Sequence, residues 1–180
     1  MATKALMTAE EFGQLNTADS EDYELVDGEL SPLSSGTPLH NLIRDNFVFH
    51  FRIYFRQHPI GGATGETDFR LDRDNVRRPG LSIFLGEKWN QLDLNQTPVP
   101  FAPDIAVEVL SPSEHSLEVT RKVREYLSAG SQEVWLLDQA NGELQVRGKS
   151  GIRLVEAGDV LDSPLLPGFS VAVTELLAGR

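Results

Sequence analysis

The chain has 180 residues, 40% hydrophobic and 24% charged, the composition of an ordinary globular domain. It contains no cysteine, which excludes a disulfide framework and a thiolate zinc centre. Its net charge of −11 argues against a general nucleic-acid coat, and no apolar run reaches the roughly 20 residues that span a bilayer. A single cytoplasmic domain over residues 1–180, without a membrane partner, is the expectation.

In chain order, Thr8-Ala-Glu-Glu-Phe12 carries Thr8 with Glu11 three residues on, the capping-box pattern of a short helix. Tyr23-Glu-Leu-Val and Glu29-Leu30 flank Asp27-Gly28, which predicts a tight hairpin. Ser34–Pro38 reads as a loop. Leu39, Ile43, Phe47, Phe51 and Phe55 recur four apart, with Leu42 alongside, and predict a long amphipathic helix to about Gln57. His58-Pro59 and Gly61-Gly62 end it. Thr67–Asp72 alternates as a strand does, and Arg78–Leu85 reads as a second strand. Residues 86–101 read as a long irregular connection.

A strand over 104–110, a helix over 116–129 and a strand over 133–138 follow. Asn141-Gly142 turns into a further strand, Glu143–Val146, and short strands with turns at Pro164, Pro167 and Gly168 finish the chain. This order predicts a mixed α/β or α+β fold around one central sheet, with 104–138 as a right-handed crossover.

Chemistry concentrates in that crossover. On the strand, Asp104, Ala106 and Glu108 share one face, while Ile105, Val107 and Val109 face a core. Asp104 follows Pro103 at the strand entrance, where a solvated carboxylate costs little. Glu108 lies deeper, and a buried carboxylate is costly unless paired or bound to a cation. On the helix, Val119, Val123, Tyr126 and Leu127 form the packing stripe, and Glu118, Lys122 and Tyr126 form the adjacent row. Lys122 can therefore reach toward Glu108. Spacing alone leaves three readings open: a structural Lys122–Glu108 pair, an ordinary Glu118–Lys122 helix pair, or a carboxylate holding Mg2+ or Mn2+ beside a lysine that steers water or phosphate.

The pieces Met7–Phe12, Tyr23–Leu30, Arg78-Pro79, Pro103-Asp-Ile-Ala-Val-Glu-Val-Leu-Ser-Pro-Ser113, Lys122 with Tyr126, Gly130 with Glu133-Val-Trp135, and Ser163–Ser170 cover nearly the whole chain. In this order they resemble the Uma family of putative restriction endonucleases, within the PD-(D/E)xK nuclease superfamily. The resemblance implies a restriction-endonuclease-like core, a central mixed sheet flanked by helices. It also implies a divalent-metal phosphodiesterase acting on DNA. Carried over by position, Glu108 is the acidic residue of the second half-motif and the metal ligand, and Lys122 is the motif lysine, displaced onto the helix. Glu118 stands where the family often has Asp.

The first half-motif should read Pro-Asp, and this chain reads Pro79-Gly80, which offers no side-chain oxygen. Asp68, Asp72 and Asp74 are the nearby candidates for compensation. Asp104 is no substitute: four residues along a strand is about 13 Å from Glu108.

The remaining candidates read as structure first. Glu24 reads as an exposed strand residue that could line the site, and His40 as a surface histidine that could cap a helix or contact substrate. His50, His58 and His115 lack ligand spacing. Ser111-Pro-Ser113 fits a turn or helix cap, and Trp135 fits the core. The cluster Arg70, Arg73, Arg77 and Arg78 reads as solvated surface charge, with an anion-facing edge as the alternative; Arg121, Lys122 and Arg124 form a second group. A two-fold homodimer is the commonest assembly to expect.

Overall fold

The computed structural model describes residues 6–15, 20, 22–33, 36–111 and 115–178. Pro112 and Ser113 of the expected turn, and Ser34 and Ser35 of the expected loop, lie outside them.

Local signals set the first elements. Thr8 Oγ1 accepts the Glu11 N–H and Glu11 returns a carboxylate oxygen to the Thr8 N–H, which starts α1 (Ala9–Gly13). Asp27 and Gly28, at φ 49° and 75°, turn β1 (Tyr23–Val26) into β2 (Glu29–Pro32). Thr37 caps α2 (Pro38–Gln57), and Pro38 takes the first position, where its missing N–H costs nothing. The buried stripe of α2 is Ile43, Phe47, Phe51 and Tyr54. Leu39 and Phe55, expected on it, are exposed and half-buried, because a strict four-residue repeat drifts off the 3.6-residue turn.

The strand expected over 67–72 contracts to β4 (Phe69–Arg70). Asp72 folds back to accept from Asn75 Nδ2 and the Asp74 N–H, and that turn leads into β5 (Val76–Arg77). Arg78 and Pro79 form a connection, and the next strand starts later than expected, as β6 (Leu81–Leu85). The connection after it is not wholly irregular: α3 (Gly86–Gln91) opens it. Then come β7 (Ile105–Leu110), α4 (Ser116–Ser128), β8 (Glu133–Asp138), β9 (Glu143–Gly148), β10 (Gly151–Val155), β11 (Val160–Asp162), β12 (Ser170–Ala172) and α5 (Val173–Leu177). With β3 (Gly61–Gly65), a six-stranded sheet is ordered β10-β9-β8-β7-β6-β3. Only β7 and β8 run parallel in it, and α4 joins them. The mixed sheet flanked by helices is therefore as expected.

The central strands β7 and β8 are buried on both faces. Ile105, Val107, Val109, Trp135 and Leu137 pack under α2 and α5, where Phe51 stacks on Phe169 at 4.7 Å. Ala106, Val134 and Leu136 pack under Val119, Val123 and Tyr126 of α4. A smaller sheet, β2-β1-β5-β4, brings Glu24 and Arg77 alongside α4. Burying a large apolar side chain contributes about 1.5–3 kcal/mol. These two layers fix the strand that carries Glu108 against the helix that carries Lys122.

Candidate functional site

Glu108 emerges on the α4 face of β7, as the alternation requires, and is buried. The Tyr126 hydroxyl donates to Glu108 Oε1 at 2.9 Å, and Lys122 Nζ stands 3.9 Å from the same oxygen. Both come from α4 one turn apart. Tyr126 is fully buried, so burial first and then the Glu108 carboxylate push its phenol well above its ordinary pKa. It is a permanent donor.

Arg77, 1% exposed, is the largest departure from expectation. Its Nη1 donates to Glu24 at 2.9 Å, its Nη2 to Glu118 at 2.8 Å and its Nε to Glu125 at 2.7 Å. Burial opposes its charged form, but the hydrogen bonds and fields of Glu125 and Glu24 outweigh that and raise its pKa. Glu24 is correspondingly not an exposed strand residue. It is buried, with one oxygen on Arg77 and the other accepting the Arg78 N–H at 2.8 Å. Glu118 bonds Arg77 across to the small sheet.

Arg78 is not surface charge either. Its Nε and Nη2 grip both oxygens of Asp68 at 2.8 and 2.9 Å. Burial raises the Asp68 pKa, and the Arg78 hydrogen bond opposes the rise. Arg70 and Arg73 are exposed, as expected. In the second basic group, Arg121 bridges Asp27 at 2.7 Å and Glu125 at 2.6 Å.

Asp104 is not solvated. It is buried at the other end of β7, accepting from the Leu85 N–H at 2.8 Å and Gln132 Nε2 at 3.0 Å, with Lys88 at 3.5 Å. It ties β6, β7 and β8 together. His40 stands in the first turn of α2, half-buried beside Gly36. Trp135 is core and donates to Glu133 at 2.7 Å.

Gly80 comes level with Glu108. In the antiparallel β6–β7 ladder Leu81 faces Val107, so one step further places position 80 opposite Glu108 and on its face. A Cβ at Gly80 would meet only the Val107 carbonyl, at an ordinary 3.6 Å. The position thus accommodates a side chain but supplies none. Asp68 and Asp72 do not stand in for it, being engaged by Arg78 and Asn75.

The sequence pattern places Lys122 within reach of Glu108 but does not reveal the hydroxyl of Tyr126 on the same oxygen, nor the cluster of Arg77 with Glu24, Glu118 and Glu125.

The model of the Uma2 family, described as "Putative restriction endonuclease", matches residues 9–174. The chain belongs to this family. A solved structure described as a putative nuclease belonging to DUF820, from Anabaena variabilis ATCC 29413, superposes on this Uma2-family chain with a TM-score of 0.78. The match covers 96% of this chain and 98% of that one at 22% identity, and establishes a shared fold. No curated protein matches the chain. Among the described residues, no helix is long and apolar enough to cross a membrane.

Proposed function

We propose that this Uma2-family chain is a restriction-endonuclease-fold protein that engages DNA as a binding or regulatory module, its hydrolytic site reduced to the Glu108–Lys122 pair. Gly80 carries this reading. Family membership supports DNA as the ligand.

A divalent ion such as Mg2+ or Mn2+ takes oxygen ligands and is held by one or two carboxylates plus substrate phosphate. Among the described residues Glu108 is the carboxylate at the position, and its Oε1 already accepts from Tyr126. Glu24 and Glu118 are committed to Arg77. Among the described residues no group of three or more His, Cys, Asp and Glu could hold an ion. The donors among the described residues therefore support the reading in which the chain itself supplies too few oxygen ligands for a metal.

A second reading is a working metal-dependent endonuclease of the PD-(D/E)xK type, hydrolysing DNA phosphodiester bonds. The retained approach of Lys122 to Glu108, at 3.9 Å, favours it. Titration calorimetry with Mn2+ and plasmid nicking with Mg2+ or Mn2+ separate the two. The native chain is expected to give neither heat nor nicks, while Gly80→Asp gains Mn2+ binding that Gly80→Asp/Glu108→Gln loses. Nicking by the native chain that disappears in Glu108→Gln and Lys122→Ala would establish the second reading instead. Fluorescence anisotropy with a short duplex at low salt tests DNA binding in both cases.

A further inference from the structure

The outward face of α2 is apolar where a surface helix should be polar. Phe49 is 60% exposed, and Leu42 and Ile53 on the same stripe are 45% and 42% exposed. Seven and four residues separate them, so they line one ridge turned away from the buried Ile43, Phe47, Phe51 and Tyr54. Charge flanks this ridge asymmetrically. Asp45 lies toward the N-terminal end from Phe49, its Oδ1 accepting from Arg44 and its side chain still mostly exposed, and Arg52 and Arg56 lie exposed toward the C-terminal end.

We infer that this ridge is an isologous contact with a second copy of the chain, two α2 helices crossing antiparallel about Phe49. Charge complementarity selects that occupant and that direction. Asp45 is four residues before Phe49 and Arg52 three after, about 6 and 4.5 Å along the axis. An antiparallel two-fold therefore brings Asp45 of one copy level with Arg52 of the other, twice. A parallel pair would set Arg52 against Arg52. Antiparallel packing also places each helix N-terminus beside its partner's C-terminus, which suits the helix dipoles. Each ridge then covers its partner's Phe49, Leu42 and Ile53. A contact built on one helix pair sits at the small end of specific interfaces, so the dimer is weak and reversible. The general repulsion between copies of net charge −11 weakens it further at low salt.

Sedimentation equilibrium across a wide concentration range tests this on the full chain, with circular dichroism to verify folding. The native chain is expected to dimerise reversibly, and Phe49→Glu, which brings two carboxylates together at the axis, to weaken dimerisation at least tenfold. Asp45→Arg and Arg52→Asp should each weaken it about two- to fivefold, as exposed pairs do. Asp45→Arg/Arg52→Asp should restore it. A native monomer at every concentration overturns the inference, as does a dimer indifferent to Phe49→Glu. Failure of the double variant to recover would overturn the antiparallel register. None of these readouts depends on DNA cleavage.

Discussion

Arg77 gathers the buried Glu24 and the half-buried Glu118 and Glu125 into one clamp. Glu24 comes from β1, while Glu118 and Glu125 come from α4, and one guanidinium bonds them all. Its planar fork makes this possible; an ammonium would meet them as a point charge. Removing one partner of a buried ion pair leaves the rest uncompensated, at about 3–5 kcal/mol. Arg77→Met is therefore expected to lower stability by that order in urea unfolding, and adding Glu24→Gln should recover part of it. Unchanged stability in Arg77→Met would mean that the carboxylates are reached by water. Tyr126 supplies a second prediction. Its native pKa lies well above 10.0 because of burial and the Glu108 field, whereas the unfolded phenol titrates near its ordinary value. The stabilisation is thus intact below about pH 10 and is lost as pH rises through the native pKa. Over that window it falls by about 1.4 kcal/mol per pH unit. The stability difference between the native chain and Tyr126→Phe, measured by urea unfolding at successive pH values, should shrink with that slope above pH 10. A difference independent of pH would show that Tyr126 ionises normally in the native protein.

At the scale of elements, what could be read in the sequence was what short-range physics decides. The capping box at Thr8, the Asp27-Gly28 turn and the β7–α4–β8 unit each follow from a local pattern, and each stands where expected. The facing of Glu108 followed from alternation along β7, and its meeting with Lys122 from spacing on α4; the Tyr126 hydroxyl on the same carboxylate did not. What escaped were partnerships made at long range. Arg77 and Glu24 are 53 residues apart, and Arg77 and Glu125 are 48 apart. Pattern on one strand cannot say that a cation points inward to carboxylates from two other elements. Asp104 misled for the same reason: its partners are Leu85 on β6 and Gln132 just before β8, and their hydrogen bonds allow a carboxylate to be buried at the strand entrance. Asp72 did so locally, since its side chain curls to Asn75 and cuts an alternating run short. Gly80 was legible as a departure from a motif, but its position opposite Glu108 needed the antiparallel register of β6 on β7.

For the whole molecule, the balance of 27 acidic against 16 basic residues divides into two electrostatic regimes. The Arg77–Glu24 pair is buried and the Arg78–Asp68 pair largely so, and salt reaches them poorly. The unpaired excess of carboxylates lies on the surface and repels itself. Raising ionic strength from 0.01 to 0.1 M shortens the screening length from about 30 to about 10 Å. Surface repulsion should fall while the buried clamp keeps its strength, so the melting temperature should rise with NaCl over this range. DNA binding should move the other way, because each phosphate contact made by Lys or Arg releases counterions and weakens as salt rises. One salt series read by both thermal melting and duplex anisotropy therefore separates the two effects. A melting temperature that falls with salt would mean that exposed ion pairs outweigh the net repulsion. Anisotropy that does not change with salt would mean that the duplex is not held through its phosphates, and the proposed DNA engagement would lose its electrostatic basis.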